Sequence, residues 1–534
     1  MAGSRSPSPG RKSSPASPKI TPASPKVVGT AITTKPRPVQ PPPCFDEFEH
    51  DIPVITQFFT YLSYAIIMLF GYTREFFRVF FPKAGRKTPD GYAPLVRDYD
   101  DFFQRRLYRR IRDCWNRPID SRPSRIIGVM ERVSHDYNAT FELTGRIIPS
   151  INLGSYNYLG FAEDTPSITS SVLESIDQFG VASCSAALEA GQHSVLTELE
   201  ADIADFVGKE DAVVCGMGFA TNFGGLPALF CKDTLVLSDS LNHASLVAGV
   251  RQSGCKVRVY PHNNMQALER ILRREIAYGQ PRTHKRYKRV VLLVEGIYSM
   301  EGIIIDLAAI VALKKKYNAL LYVDEAHSIG AIGVSARGVC EYCCVNPQDV
   351  DVLMGTFTKS FGSIGGYIAA DKSIIDYVRG TASFSVMSDS LAAPCAQQAL
   401  ATLKVLRGED GTDLGARRIQ QLAWNSKFFR RGLINLGLTV FGNDASPVIP
   451  VMLYNPGKIA SFSRKCLERN LAVVVVGYPA TSLVESRARF CVSACHTRED
   501  LEQALRVIKE VAEEIHITYQ PENIGKFDSV LSSL

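Results

Sequence analysis

No acidic side chain occurs among the first 45 residues, which carry seven lysines or arginines. The formal charge of +6 is used up there, so the rest of the chain offers no basic face and nucleic-acid binding is excluded. The sequence also lacks a disulfide-like or zinc-like cysteine pattern. Its thirteen cysteines are scattered; only Cys340, Cys343 and Cys344 cluster, with no second pair at zinc spacing. A chain of 534 residues needs no staples, which fits a reduced, cytosol-facing setting, and the cluster reads as packing on a surface helix. No metal site is expected. There is no internal repeat, so solenoids and propellers fall away. With 46% hydrophobic and 21% charged residues, what remains suits a two-lobed globular core with an appendage.

Charge is missing a second time, from Ile52 to Thr73, where 22 residues include Phe58, Phe59, Leu62, Ile66, Ile67, Leu69 and Phe70. That is about the length that crosses a hydrocarbon core, and it lies too far from the amino terminus to be a cleaved signal peptide. Asp46, Glu47, Glu49 and Asp51 precede it and Arg74, Arg78, Lys83, Arg86 and Lys87 follow, which places the body of the chain on the cytosolic side. Gln57, Thr60 and Ser63 dilute the span, so a helix lying in the interface is the alternative. Before it, the Ser-Pro and Thr-Pro repeats of residues 1–45 bury too little apolar surface to fold. Ser17 and Ser24, each followed by Pro-Lys, are candidates for proline-directed phosphorylation.

Beyond about residue 98 strand-like and helix-like runs alternate. Candidate strands are Ala212–Cys215, Thr234–Ser238, Lys256–Tyr260, Val290–Val294, Leu320–Val323, Val352–Thr356 and Gly366–Ala369. Helical patterns such as Ile310–Tyr317 lie between them, and together these predict a mostly parallel, seven-stranded α/β sheet. A further stretch from Gly415 to Ile517 predicts a smaller carboxy-terminal αβ lobe. The chain divides into a tail (1–45), a membrane-associated segment (46–97), the amino-terminal part of the globular block (98–210), the large sheet domain (211–414), the small lobe (415–520) and a second tail (521–534).

Chemistry concentrates in two runs. LLYVDEAH is a short apolar strand delivering Asp324 and, three residues on, His327 to its carboxyl end, where open α/β sheets place ligands. GTFTKSFG sets Lys359, 35 residues beyond Asp324, among hydroxyls including Thr356 and Thr358. These are the parts a pyridoxal 5'-phosphate (PLP) site requires: an amine for a Schiff base, an acid for the pyridine nitrogen, and donors for phosphate. A free lysine has a pKa near 10.4, so the Lys359 pocket must lower that value. Gly216–Asn222, GMGFATN, is a glycine-punctuated turn whose free N–H groups suit a phosphate. His243 in LNHASL can stack on a flat ring. Arg489 in ESRARFCVSACH can fork onto a substrate carboxylate.

In order along the chain, GMGFATN, SDSLNHASL, VEGIYSMEG, YVDEAHSIGAIG, GTFTKSFG and GYPATSLVESRARFCVSACHT resemble the α-oxoamine synthase family of PLP-dependent transferases, fold type I. The resemblance runs from about Asn152 to Ile517. It implies that Lys359 carries the cofactor, Asp324 faces the pyridine nitrogen, His327 the ring hydroxyl, and His243 stacks on the ring. It also implies that Gly218, Phe219 and Thr356 hold the phosphate, Ser299 lines the cofactor and Arg489 meets the substrate carboxylate. GTFTKSFG, VVVVG and SRARFC are similar to the lysine-bearing subunits of the membrane-bound branch, which condense L-serine with a long-chain acyl-CoA at the endoplasmic reticulum. Those work as a heterodimer with a related lysine-lacking subunit and with small membrane regulatory subunits. A family member using a short acyl-CoA (the 5-aminolevulinate or 8-amino-7-oxononanoate type), or a non-catalytic structural subunit, are the alternatives. Two departures stand out: Ala187 and Leu196 occupy positions where the family carries Arg or His and then His, and PATS at Pro479–Ser482 replaces PATP.

Overall fold

The structure, a computed structural model, describes residues 52–80, 91–92 and 98–528. The expected disordered tail, its Ser-Pro sites and most of the charges flanking the apolar segment lie outside them. The apolar segment forms helix α1 (Val54–Phe80), of which Val54–Phe77, at mean hydropathy 1.6, is long and apolar enough to cross a membrane. One side of α1 rests on the body. Thr60 and Tyr64 are buried there, Ser63 Oγ accepts from Asn455 Nδ2 at 2.9 Å, and Gly71 lets the Phe102 ring approach so closely that a Cβ would stand 2.8 Å from it. Phe102 belongs to helix α2 (Asp98–Arg106), whose Arg106 pairs with Glu75 at 2.6 Å. The opposite side of α1 exposes Phe58, Phe59, Leu69 and Phe70.

Two antiparallel strands, β1 (Ile126–Val133) and β2 (Glu142–Asn152), open the folded body. The large sheet follows with β3 (Asp211–Cys215), β4 (Thr234–Asp239), β5 (Lys256–Tyr260), β6 (Arg289–Glu295), β7 (Leu320–Asp324), β8 (Val352–Thr356) and β9 (Gly366–Ala370). Its order is β3-β9-β8-β7-β6-β4-β5, so all seven expected strands are present within one or two residues of their expected ends. Six run in one direction, and β9 is antiparallel to both neighbours, β3 and β8. Apart from the edge strand β5, whose Val259 is exposed, the strands are largely buried on both faces and rich in Val, Ile and Leu, as a helix-covered sheet requires. The expected helix at Ile310–Tyr317 begins three residues earlier, at Leu307, where Asp306 caps it by accepting from Ala309 N.

The carboxy-terminal part adds β10 (Val448–Tyr454), β11 (Leu471–Ala472), β12 (Val474–Val476) and β13 (Ser486–Cys491). β13 lies between β10 and β12, while β11 pairs in parallel with β2. Ile151 and Leu153 consequently pack into the carboxy-terminal core with Phe429, Phe490 and Ile508. The cysteine cluster departs from expectation. Cys340 and Cys343 are buried in the main core rather than set on a surface helix, because the four-residue helix Val339–Tyr342 turns inward; only Cys344 is exposed. Burial pushes both buried thiols up, Cys343 to about 12, so they are inert.

Candidate active site

Three strand ends meet at one level of the large sheet. Cys215 of β3 pairs with Gly366 of β9, which pairs with Thr356 of β8. The helix Gly218–Leu229 starts just past β3 with no side-chain cap, leaving its first N–H groups directed at this point. Gly218 is required here, since a Cβ would lie 2.8 Å from Thr356 Oγ1. That hydroxyl, 3% exposed, donates to Gly365 O and stands 2.8 Å from Thr358 Oγ1. Phe219 reaches over the helix start to 6.2 Å from the His243 ring.

Asp324 ends β7, and both its oxygens are engaged: Asn222 Nδ2 donates to Oδ2 at 2.7 Å and Ala326 N to Oδ1 at 2.8 Å. Asn222 is itself fixed by the Tyr322 hydroxyl at 2.8 Å. His243 caps the helix Ala244–Ser253; its Nδ1 accepts from Ser245 N, and its main-chain N–H donates to Glu295 Oε1. Burial, with the Lys359 and Arg489 charges, holds His243 below the usual imidazole range against the opposing pull of Asp324. His327 is buried with Nδ1 2.7 Å from the Tyr158 hydroxyl, and burial next to those cations keeps it neutral, well below its ordinary value.

Lys359 sits in the nine-residue turn from β8 to β9. Burial lowers its amine to about 8, although Asp324 and Glu295 pull the other way. Its Nζ lies 5.5 Å from the Tyr156 ring centroid; the Arg489 guanidinium lies 5.0 Å from the same ring and the His327 ring 5.2 Å. Arg489, on β13, is 6% exposed. It donates to Ser299 O at 3.4 Å, its Nε has no partner, and among the described residues no carboxylate pairs with it. Ser299 thus enters through its carbonyl.

All nine sequence-derived residues gather around this cleft. Sequence reasoning missed Tyr156 and Tyr158 of SYNYLG, Asn222, Ser245 and Glu295. Asn222 stood inside the quoted GMGFATN and Glu295 inside VEGIYSMEG, but nothing local marks either as facing Asp324 or His243. At the first of the two departures, Leu196 is core, on a helix whose cap is His193, and Ala187 opens a short π-helical turn.

The cleft fits PLP. It combines a depressed amine, an acid held by two donors, two neutral imidazoles and an uncapped helix start crossed by a threonine, with a buried guanidinium lacking a counter-ion. Comparison with known proteins agrees. A serine palmitoyltransferase 2 of Dictyostelium discoideum is 49% identical over 470 residues, covering 88% of this chain and 96% of that protein. The solved Sphingomonas wittichii serine palmitoyltransferase superposes with a TM-score of 0.70 at 27% identity, over 80% of this chain and all of that one. A solved structure described as SPT with a PLP internal aldimine gives a TM-score of 0.64 at 26% identity, over 73% and 93%. The family model for aminotransferase class I and II matches residues 148–508, and the chain belongs to that family, in the α-oxoamine synthase group that its motifs resemble.

Proposed function

We propose that the chain is the lysine-bearing catalytic subunit of a serine palmitoyltransferase, condensing L-serine with a long-chain acyl-CoA such as palmitoyl-CoA, with loss of carbon dioxide and CoA, to 3-ketosphinganine. The observation that carries this reading is Lys359 beside Asp324 in one cleft, with Arg489 buried and without a carboxylate. Bound PLP supplies an aldehyde for amines and an electron-accepting ring. Around it the chain's own groups divide the work. Lys359, near pH 8, takes up and releases protons at the substrate's α-carbon. Asp324 keeps the ring nitrogen protonated, and Asn222 holds that carboxylate in place. With PLP bound, His243 would cover the ring, His327 would meet its hydroxyl, and Gly218, Phe219 and Thr356 would hold the phosphate, with Ser299 at the cofactor's edge. Arg489 receives the serine carboxylate as a two-pronged donor.

The relatives' names support a partnership of subunits in general. The exposed Met217, Phe219 and Phe223 at the open side of the cleft fit closure by a related lysine-lacking subunit, and small membrane regulatory subunits join the assembly. Helix α1 ties the enzyme to a membrane, that of the endoplasmic reticulum, with the catalytic body on the cytosolic side, where the charges flanking α1 favour it. The test is to purify the chain with its partner, record the visible spectrum, then add L-serine and palmitoyl-CoA and identify the product. A serine-dependent spectral change and 3-ketosphinganine are expected. A response to glycine alone would favour the aminolevulinate type, and product from Lys359→Ala at wild-type rate would refute the role of that amine.

A further inference from the structure

The candidate active site occupies the carboxyl ends of β7 and β8, and a separate cavity of about 350 Å³ opens at the amino ends of β6, β7 and β8. That volume falls within the range of small-molecule sites. None of the residues given catalytic roles lines it. Val291, Leu321 and Val352 of the sheet and Ile374 of the helix Lys372–Thr381 make it largely apolar, and the rings of Phe230, Tyr322 and Tyr377 stand in its wall. Phe230 meets Tyr322 edge-on at 6.4 Å. The charge left over in the lining is positive. Arg289, the first residue of β6, is exposed and donates to Leu229 O at 2.9 Å; among the described residues it pairs with no carboxylate. Asp351, which also lines the cavity, is already answered: Lys314 Nζ lies 2.7 Å from its Oδ2, which also accepts from Leu321 N at 2.7 Å. An apolar, ring-lined cavity beside a guanidinium without a counter-ion selects an aromatic body that carries a carboxylate.

Tyr322 connects this cavity with the cleft. Its ring lines the cavity, while its hydroxyl donates to Asn222 Oδ1 at 2.8 Å and Asn222 Nδ2 donates to Asp324 Oδ2 at 2.7 Å. Asn222 is anchored a third time, since Nδ2 also donates to Ser245 Oγ at 3.0 Å, and that hydroxyl stands 2.8 Å from His243 Nδ1. Tyr322, Asn222 and Ser245 are all buried, so each of these hydrogen bonds is costly to lose. A molecule packed on the Tyr322 ring restrains the hydroxyl at its other end. That hydroxyl is two hydrogen bonds from the acid assigned to the pyridine nitrogen.

We propose that the cavity is an effector site for a small aromatic carboxylate, its ring among Phe230, Tyr322 and Tyr377 and its carboxylate on Arg289, and that occupancy tightens cofactor binding through Tyr322 and Asn222. The site is independent of the catalytic assignment; the coupling rests on the PLP reading, which PLP uptake by the chain alone tests separately. The test is isothermal titration calorimetry on the full chain in non-ionic detergent with 3-phenylpropionate, 3-phenylpropanol and 3-phenylpropylamine, which share a body and differ in head group. The carboxylate should bind one to one, roughly tenfold more tightly than the other two. Arg289→Gln should lower its affinity by about tenfold, and Ile374→Trp, which fills the cavity, should weaken it with Arg289 in place. PLP and 3-phenylpropionate should each tighten the other's binding by about fivefold, because coupling is reciprocal. Tyr322→Phe should abolish that mutual effect while 3-phenylpropionate still binds. Equal binding of the three probes, or wild-type affinity in both Arg289→Gln and Ile374→Trp, would overturn the site. So would loss of binding in Arg489→Lys alone, which would give the probe to the substrate cleft. Equal affinity of the PLP-free and PLP-loaded chain for 3-phenylpropionate would overturn the coupling.

Discussion

At the level of single residues, the site works by moving protons to unusual places. An amine titrating at about 8 is neutral in roughly one molecule in ten at pH 7, hundreds of times more often than a free lysine. The rate at which apoprotein captures PLP should therefore climb about tenfold per pH unit below 8 and level off above it, as stopped-flow absorbance would register. Glu325 is the converse: burial raises it to about 8, while in the unfolded chain it titrates near 4.3. Between those values the folded state holds a proton that the unfolded state has lost, so stability falls as pH rises through that window. Glu325→Gln should flatten this dependence, gaining stability at pH 8 relative to pH 5 in urea titrations. Tyr158→Phe leaves His327 Nδ1 without its partner; a loss of about 1–3 kcal/mol is expected, together with a changed imidazole tautomer in ¹⁵N spectra. Motif spacing made Lys359, Asp324 and Arg489 readable, because each carries its own chemistry. Tyr158 and Asn222 stayed hidden because orienting another group needs only a hydroxyl or an amide, and the partners are 169 and 102 positions away.

Among the elements, strands were more legible than their neighbours. A run of branched apolar residues stopping at Asp or Thr is unambiguous when both faces are covered, hence the close match of all seven strands. The reversal of β9 is a pairing choice made by the short return from β8, and alternation of side chains cannot encode it. Helix α1 was readable in length but not in its two-sidedness, since Thr60 and Ser63, which dilute the apolar run, face the body or its edge. Phe59→Arg, on the open side, should weaken membrane partition by about 2–3 kcal/mol without altering thermal unfolding of the body. Flotation through a sucrose gradient would measure the first and calorimetry the second.

For the molecule as a whole, β13 ties the carboxy-terminal sheet to the segment that follows β6. Arg487, buried, donates to Met300 O at 3.0 Å and pairs with Glu301 at 3.2 Å, and Arg489 reaches Ser299 from the same strand. Arg487→Ala strands a buried carboxylate and should cost about 3–5 kcal/mol in chemical denaturation. The carboxy-terminal strands VIPVMLY and LAVVVV were visible in the sequence, but the pairing of β2 with β11 across early and late segments was not, because a two-residue strand leaves no pattern.

The reversed strand β9 has a further effect. Its first residue, Gly366, pairs with Cys215 of β3 on one side and Thr356 of β8 on the other, and with no side chain between them Gly218 comes up against Thr356 Oγ1. The helix start after β3 and the turn after β8 are therefore both gauged from that one residue. A methyl group at Gly366, which would press on Gly355 O and Thr221 Oγ1 at 2.7 Å, would mis-set the gauge at both ends at once.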